Sequence, residues 1–129
     1  MKAIRLAVLF LFTILLVNSY AQNTTKPDSV KIVKIIKTDS VKAYVGKEVT
    51  VKGTVSEITV LKSGLTYLNI DGKFPDNKFT ALVFKRDAEP FGDLKVWEKK
   101  KVEVTGKIDD YKGKAQMVLT KPDQIKAVK

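Results

Sequence analysis

Polar and apolar residues alternate with period two along residues 49–55 (VTVKGTV) and 102–108 (VEVTGKI), and both segments read V-x-V-x-G-x-[VI]. Such alternation predicts strands with one buried face. A glycine inside a strand marks a bulge or a sharp coil, which closure of a small barrel requires. Between these segments lie residues 65–70 (LTYLNI) and 79–84 (FTALVF), separated by 71–78 (DGKFPDNK), whose Asp, Gly, Pro and Asn predict a hairpin turn. Residues 86–97 (RDAEPFGDLKVW) break the alternation. There Asp87, Glu89 and Pro90 predict one helical turn, limited by Gly92. Residues 109–114 (DDYKGK) predict a second tight turn into a strand at 115–119, and Pro122 interrupts pairing before residues 125–128.

The order is strand, strand, strand, helical link, strand, strand. It predicts an all-β domain with one or two short helices, in the order of a five-stranded OB-fold Greek-key barrel. Upstream, Thr38, Asp39 and Ser40 predict the cap of a short helix through Tyr44, ended by Gly46. Residues 30–37 (VKIVKIIK) space their lysines by three, which suits a helical turn or a strand. Their adjacent isoleucines and valines favour the strand, and the segment is too short to bury much area as a basic membrane-surface helix. The expected organisation is a signal peptide at 1–21, a flexible leader and basic β-prone segment at 22–37, and the barrel domain at 38–129.

The signal assignment rests on a basic start (Lys2, Arg5), an apolar run at residues 6–17 interrupted by Thr13, and small Ser19 and Ala21 at the cleavage positions. The run is too short for the ~20 residues of a membrane span, and no cysteine is present to carry a lipid anchor. The expectation is an exported chain, periplasmic or secreted, soluble after signal removal and without a transmembrane anchor. Asn23-Thr24-Thr25 matches a glycosylation acceptor, relevant only in a eukaryotic secretory route.

Of 24 basic residues, Lys2 and Arg5 lie in the signal, leaving 22 against 14 acidic ones, a net charge of +8. That balance favours polyanionic partners or serves solubility alone. Arg86 is the only arginine after the signal. Arginine is the residue suited to bidentate phosphate or base recognition, so sequence-specific duplex readout is not expected. No histidine or cysteine is present, which removes the commonest general base, metal ligand and nucleophile. Asp71, Asp76, Asp109 and Asp110 lack the D-x-D-x-D-G spacing of a calcium loop. The chain is therefore expected to be a binding module and not an enzyme, with no cofactor and no metal. An OB-fold nuclease would need a carboxylate cluster and arginines for the transition-state charge.

Four pieces of sequence, YVGKEVTVKGTVSEI, SGLTYLNIDGKFPDNKFTALVF, the link containing Phe91, and KKVEVTGKIDDYKGKAQMVLTKPDQI, together resemble OB-fold nucleic-acid-binding domains, in particular small exported bacterial ones. The resemblance spans residues 39 to about 128. In an OB-fold the second and third strands form the binding face, flanked by the loops joining strands one to two and four to five. Transferred to this chain, that implies Lys62, Tyr67, Asn69, Tyr111, Lys112 and Lys114 as ligand-binding residues, with Lys52 and Arg86 at the margins.

The implied partner is single-stranded DNA or RNA, bound with little sequence preference. Lysines neutralise phosphates without reading bases, and a ring stacks on an unpaired base. The alternative is an extracytoplasmic adaptor for a protein, an oligosaccharide or another anionic envelope ligand. Tyr67 alternates with Leu68 and Ile70, so its ring is expected on the face opposite the core, either for stacking or resting on the barrel wall. Tyr111 either joins that face or packs over the strand ends. Phe79, Phe84, Phe91 and Trp97 are assigned to the core, with Phe74 before Pro75 as the exception. Lys99-Lys100-Lys101 is read as the guard of a strand edge.

Overall fold

The computed structural model describes residues 32–129. The expected signal peptide, glycosylation acceptor and most of the leader lie outside the described residues. Among the described residues seven strands form, β1 (Ile35–Lys37), β2 (Glu48–Val60), β3 (Thr66–Ile70), β4 (Phe79–Val83), β5 (Lys101–Tyr111), β6 (Lys114–Val118) and β7 (Ile125–Ala127). One helical turn, α1 (Lys85–Ala88), follows β4, and short 3-10 turns occupy Thr38–Tyr44, Glu89–Phe91, Leu94–Trp97 and Pro122–Gln124.

Strands β2 to β6 close on themselves. β3 and β4 follow β2 antiparallel, β6 joins β4 parallel, β5 pairs with β6, and β5 returns to β2 with Val51 opposite Val104. This is the five-stranded barrel of an OB-fold. The two further strands flank the β2–β5 seam, β1 parallel to β2 and β7 antiparallel to β5. Pairing of Ile36 with Val51 extends the sheet to residues before 38.

The alternation of the sequence decides which side chains fill the barrel. Val49, Val51 and Val55 of β2, Leu68 and Ile70 of β3, Phe79, Ala81 and Val83 of β4, Val102, Val104 and Ile108 of β5 and Met117 of β6 are all buried in one core. Burying one such large side chain contributes about 1.5–3 kcal/mol. Val41 of the first 3-10 turn and Leu94 of the link close the ends, while Tyr44, Phe91 and Trp97 pack around them half-buried.

The glycines of the two V-x-V-x-G strands do not form the bulge. A Cβ on Gly53 would stand 2.5 Å from Ile70 Cγ2, and one on Gly106 would stand 3.1 Å from Met117 Cγ, so both glycines admit a neighbouring side chain. The register of β2 against β3 shifts instead between Val55 and Glu57. That slip flips the inward parity from Val55 to Ile58 and turns Glu57 outward.

Two other expectations are corrected. Thr38 does not cap the turn it begins, because its hydroxyl donates to Asp71 Oδ2 at 2.5 Å. Asp71 also accepts the Thr54 N–H at 2.9 Å, so it pins the start of loop 71–78 to β2. The run Lys99 to Lys101 guards no edge, since β5 has β2 on one side and β7 on the other. Lys99 donates its backbone N–H to Val55 and its ammonium to the Ser56 carbonyl, which locks the seam. Among the described residues no helix is long and apolar enough to cross a membrane.

Candidate nucleic-acid interface

The outward positions of β2, β3, β4 and β6 line up across the sheet. Glu57 stands opposite Asn69, Asn69 opposite Thr80 and Thr80 opposite Gln116. One step along, Thr59 faces Tyr67 and Tyr67 faces Leu82. These rows floor a groove of about 770 Å³. Leu61 and Leu65 of loop 61–65, with Phe84 at the end of β4, wall one end, and Phe74, Tyr111, Lys112 and Lys114 wall the other.

Local chemistry shapes the second end. Lys112 and Gly113 both take positive φ, 52° and 84°, which makes a two-residue hairpin turn between Tyr111 and Lys114. Loop 71–78 leans on that turn. Lys114 donates to the Pro75 carbonyl at 3.1 Å and lies 4.7 Å from the centre of the Phe74 ring.

Three rings around the groove, exposed Phe74 and Tyr111 and half-buried Phe84, each carry a cation. Lys112 stands 5.3 Å from the Tyr111 ring, and Arg86 stands 4.7 Å from Phe84 while ion-paired to Asp87 at 3.6 Å. Phe74 is 68% exposed and Tyr111 57%, so neither ring is held by the core. Contacts of this kind contribute about 0.5–1 kcal/mol at the surface, and they hold ammonium groups beside ring faces.

Of the residues named from the sequence, Tyr67, Asn69, Tyr111, Lys112 and Lys114 line this one groove. Tyr67 is half-buried and presents its ring to the outer face while Leu68 and Ile70 fill the core. Asn69 is only 3% exposed, and its amide is engaged by Glu57 Oε2 at 3.1 Å, so it braces the floor. Lys62 sits exposed in the loop at the opposite end from Lys112 and Lys114, because β3 and β4 run the length of the groove between them. Arg86 stands at that same far end, over Phe84.

Lys52 is not brought to the groove. It lies on the seam half of β2, opposite Glu103 of β5 and Lys37 of β1. Phe84, assigned to the core, instead lines the groove. Leu82 also lines it, buried at 3% but outside the barrel core. Both follow from parity, since Phe79, Ala81 and Val83 take the inward positions of β4. Glu57 was hidden by the slip beside it. Its carboxylate accepts the Phe74 N–H at 3.3 Å as well as the Asn69 amide, and so links the floor to the loop.

The arrangement offers rings and apolar side chains on a floor with hydrogen-bonding groups, and ammonium groups at the rim. It can hold a planar, uncharged moiety on the floor and anionic groups at one end. Among the described residues no three His, Cys, Asp or Glu side chains are placed to share a metal ion.

Solved structures with the same fold include an asparaginyl-tRNA synthetase of Entamoeba histolytica, 22% identical with a TM-score of 0.53 over 75% of this chain. An aspartyl-tRNA synthetase of the same organism is 18% identical with a TM-score of 0.52 over 74% of this chain. A putative aspartyl-tRNA synthetase from Leishmania major Friedlin is 13% identical, with a TM-score of 0.53 over 84% of this chain. This chain spans only about a quarter of those proteins, covering 24%, 21% and 23% of them respectively. No curated protein sequence matches it significantly. The five barrel strands all lie within a family match over residues 37–124, more than half of the sequence, and the chain belongs to the tRNA_anti-like family.

Proposed function

We propose that this chain binds single-stranded nucleic acid with little sequence preference and does so without catalysis. Bases lie on the floor at Tyr67 and Leu82, with Phe74 and Tyr111 as further stacking surfaces. Lys112 and Lys114 meet phosphates at one end, and Lys62 and Arg86 attract the strand at the other. The observation that carries this reading is the pairing of rings with cations around one groove, Lys114 with exposed Phe74, Lys112 with exposed Tyr111 and Arg86 with half-buried Phe84. The family description, tRNA_anti-like, points the same way. Stacking on such rings is worth about 1–3 kcal/mol per base and tolerates any base. The basic start and apolar run of residues 1–17 support a site of action outside the cytoplasm, in the periplasm or beyond it.

The test is titration of a labelled oligonucleotide at two salt concentrations. Binding that weakens as salt rises, and weakens further in Tyr67→Ala and Lys112→Ala, supports the reading. No binding at low salt, or binding indifferent to salt, removes it. The apolar stretch formed by Leu61, Leu65, Leu82 and Phe84 favours a second reading, an adaptor that holds a protein segment, an oligosaccharide or another anionic envelope ligand. Pull-down from envelope extracts with no oligonucleotide signal would select it.

A further inference from the structure

A second cleft of about 510 Å³ opens beside the cationic end of the groove, between the 3-10 turn Thr38–Tyr44, loop 71–78 and the β5–β6 turn. Thr80, Lys112, Lys114 and Ala115 line both cavities, which therefore share a lip. The chemistry of the second cleft differs from that of the first. Its lining includes four lysines, Lys42, Lys78, Lys112 and Lys114, against one acidic residue, Asp39. Its one ring, Phe79, is 1% exposed and turned into the core, so the cleft has no stacking surface.

The four lysines are not equally engaged. Lys78 and Asp39 form a 2.6 Å ion pair, yet their side chains are 53% and 70% exposed. Such exposed pairs add little to stability, so Asp39 is easily exchanged for another anionic oxygen. The hydrogen bond and charge of Lys78 hold the carboxyl of Asp39 below its usual range. Lys42 has no ion-pair partner among the described residues. Lys112 and Lys114, whose ammonium groups stand by the Tyr111 and Phe74 rings, add to a net positive lining that an anion placed in the cleft offsets.

We infer that this cleft is a backbone-phosphate subsite, which takes successive phosphates of a nucleic-acid strand after its bases leave the groove over Lys112 and Lys114. The inference rests on the proposed function. It divides the surface into a base-stacking floor and a phosphate exit, with Asp39 as the internal anion that the strand displaces from Lys78. Affinity should then rise with strand length beyond what the groove alone accommodates.

The experiment compares fluorescently labelled oligothymidylates of about 4 and about 12 nucleotides, within the range of OB-fold site sizes, on the full chain and on two variants. In Lys42→Ala/Lys78→Ala the longer strand should bind about tenfold more weakly. Its log–log salt slope should fall by about 1.4, the share of two phosphate contacts on a single strand. The shorter strand should be unaffected. Asp39→Asn frees Lys78 and should tighten the longer strand about threefold, a gain that a purely structural role for the pair would not produce. Equal losses on both lengths, no loss on either, or weakening in Asp39→Asn would overturn the subsite while leaving the groove standing. A full chain that binds neither length overturns the groove, and the subsite with it.

Discussion

Lys114 holds two surface elements together, with its ammonium 4.7 Å from the centre of the Phe74 ring and 3.1 Å from the Pro75 carbonyl oxygen. The β5–β6 turn and loop 71–78 thus form one wall of the groove. The ring and the cation should therefore act as a unit on a bound strand. Phe74→Ala and Lys114→Ala should each weaken oligonucleotide binding, with a coupling of about 0.5–1 kcal/mol between them in a double-mutant cycle. Strict additivity of the two losses would contradict the contact. Both side chains are exposed, so thermal unfolding should move little.

Tyr67 faces Thr59 on one neighbouring strand and Leu82 on the other, at the centre of the floor. Replacing it with alanine should cost about 1–3 kcal/mol of binding, whereas Tyr67→Phe should retain nearly all of it. If phenylalanine proves as damaging as alanine, the hydroxyl and not the ring face is what the ligand uses. Fluorescence anisotropy on both variants separates the two cases.

Gly53 tests the packing of the seam. A Cβ there would come within 2.5 Å of the Ile70 side chain, whereas one on Gly113 would meet nothing within 4 Å. Gly53→Ala should lower the unfolding free energy by about 1–3 kcal/mol through overpacking. Gly113→Ala should cost about 1–2 kcal/mol, from its positive φ of 84° alone. Gly53→Val should be worse than Gly53→Ala, while Gly113→Asn should recover most of the loss because asparagine tolerates that backbone region. Urea unfolding curves at constant slope measure all four.

The Asp39–Lys78 pair fixes a direction for pH dependence. Lys78 lowers the Asp39 pKa, mainly through the hydrogen bond, and Asp39 raises that of Lys78 by the same contact. The Asp39 contribution is therefore fully present above the carboxyl's unfolded pKa and is lost as pH falls through its lowered folded value. The Lys78 contribution is present below the lysine's unfolded pKa and is lost as pH rises through its raised folded value. An NMR titration of the Asp39 carboxyl should show its midpoint move up in Lys78→Ala. An unchanged midpoint would show that the pair is not formed in solution.

Asp71 makes a sharper stability test than any surface charge. It accepts from the Thr54 N–H and the Thr38 hydroxyl and itself takes a positive φ of 54°. Asp71→Ala should cost about 1–3 kcal/mol by leaving those donors unpaired and straining the backbone. Asp71→Asn, which keeps an acceptor oxygen and tolerates the conformation, should cost less. Chemical unfolding distinguishes them.

The barrel strands were legible because their buried positions repeat every two residues, and a period of two survives without knowledge of partners. Tyr67 was placed on the outer face by the same reasoning. The slip beside Ser56 was not legible, since nothing in VSEI distinguishes an extra residue from a regular one, and Glu57 was lost with it. Lys52, set at the margin of the site by the resemblance, lies on the seam, because the order of strands says nothing about which half of a long, curved strand faces the groove. Phe84 was misread because volume argued for the core, whereas its parity argued for the groove. The β-branched run at 30–37 and the stretch after Pro122 pointed to strands, and β1 and β7 form there. Three residues are too few to show a period, so only β2 and β5 fix where these strands pair.

The β2–β5 seam also carries a kinetic consequence. It joins residues far apart in sequence, as in the 2.7 Å hydroxyl contact between Thr50 and Thr105, separated by 55 positions. By contrast, β3 with β4 and β5 with β6 are hairpins that form from local chain. The last contact to form should then be the one that turns an open ribbon into a cylinder, and folding dominated by such pairing takes on the order of milliseconds to seconds. Until then the half of β2 that faces β5, Glu48–Thr54, waits without that partner, and the sheet of β2, β3, β4 and β6 that floors the groove takes its closed curvature only when the cylinder shuts.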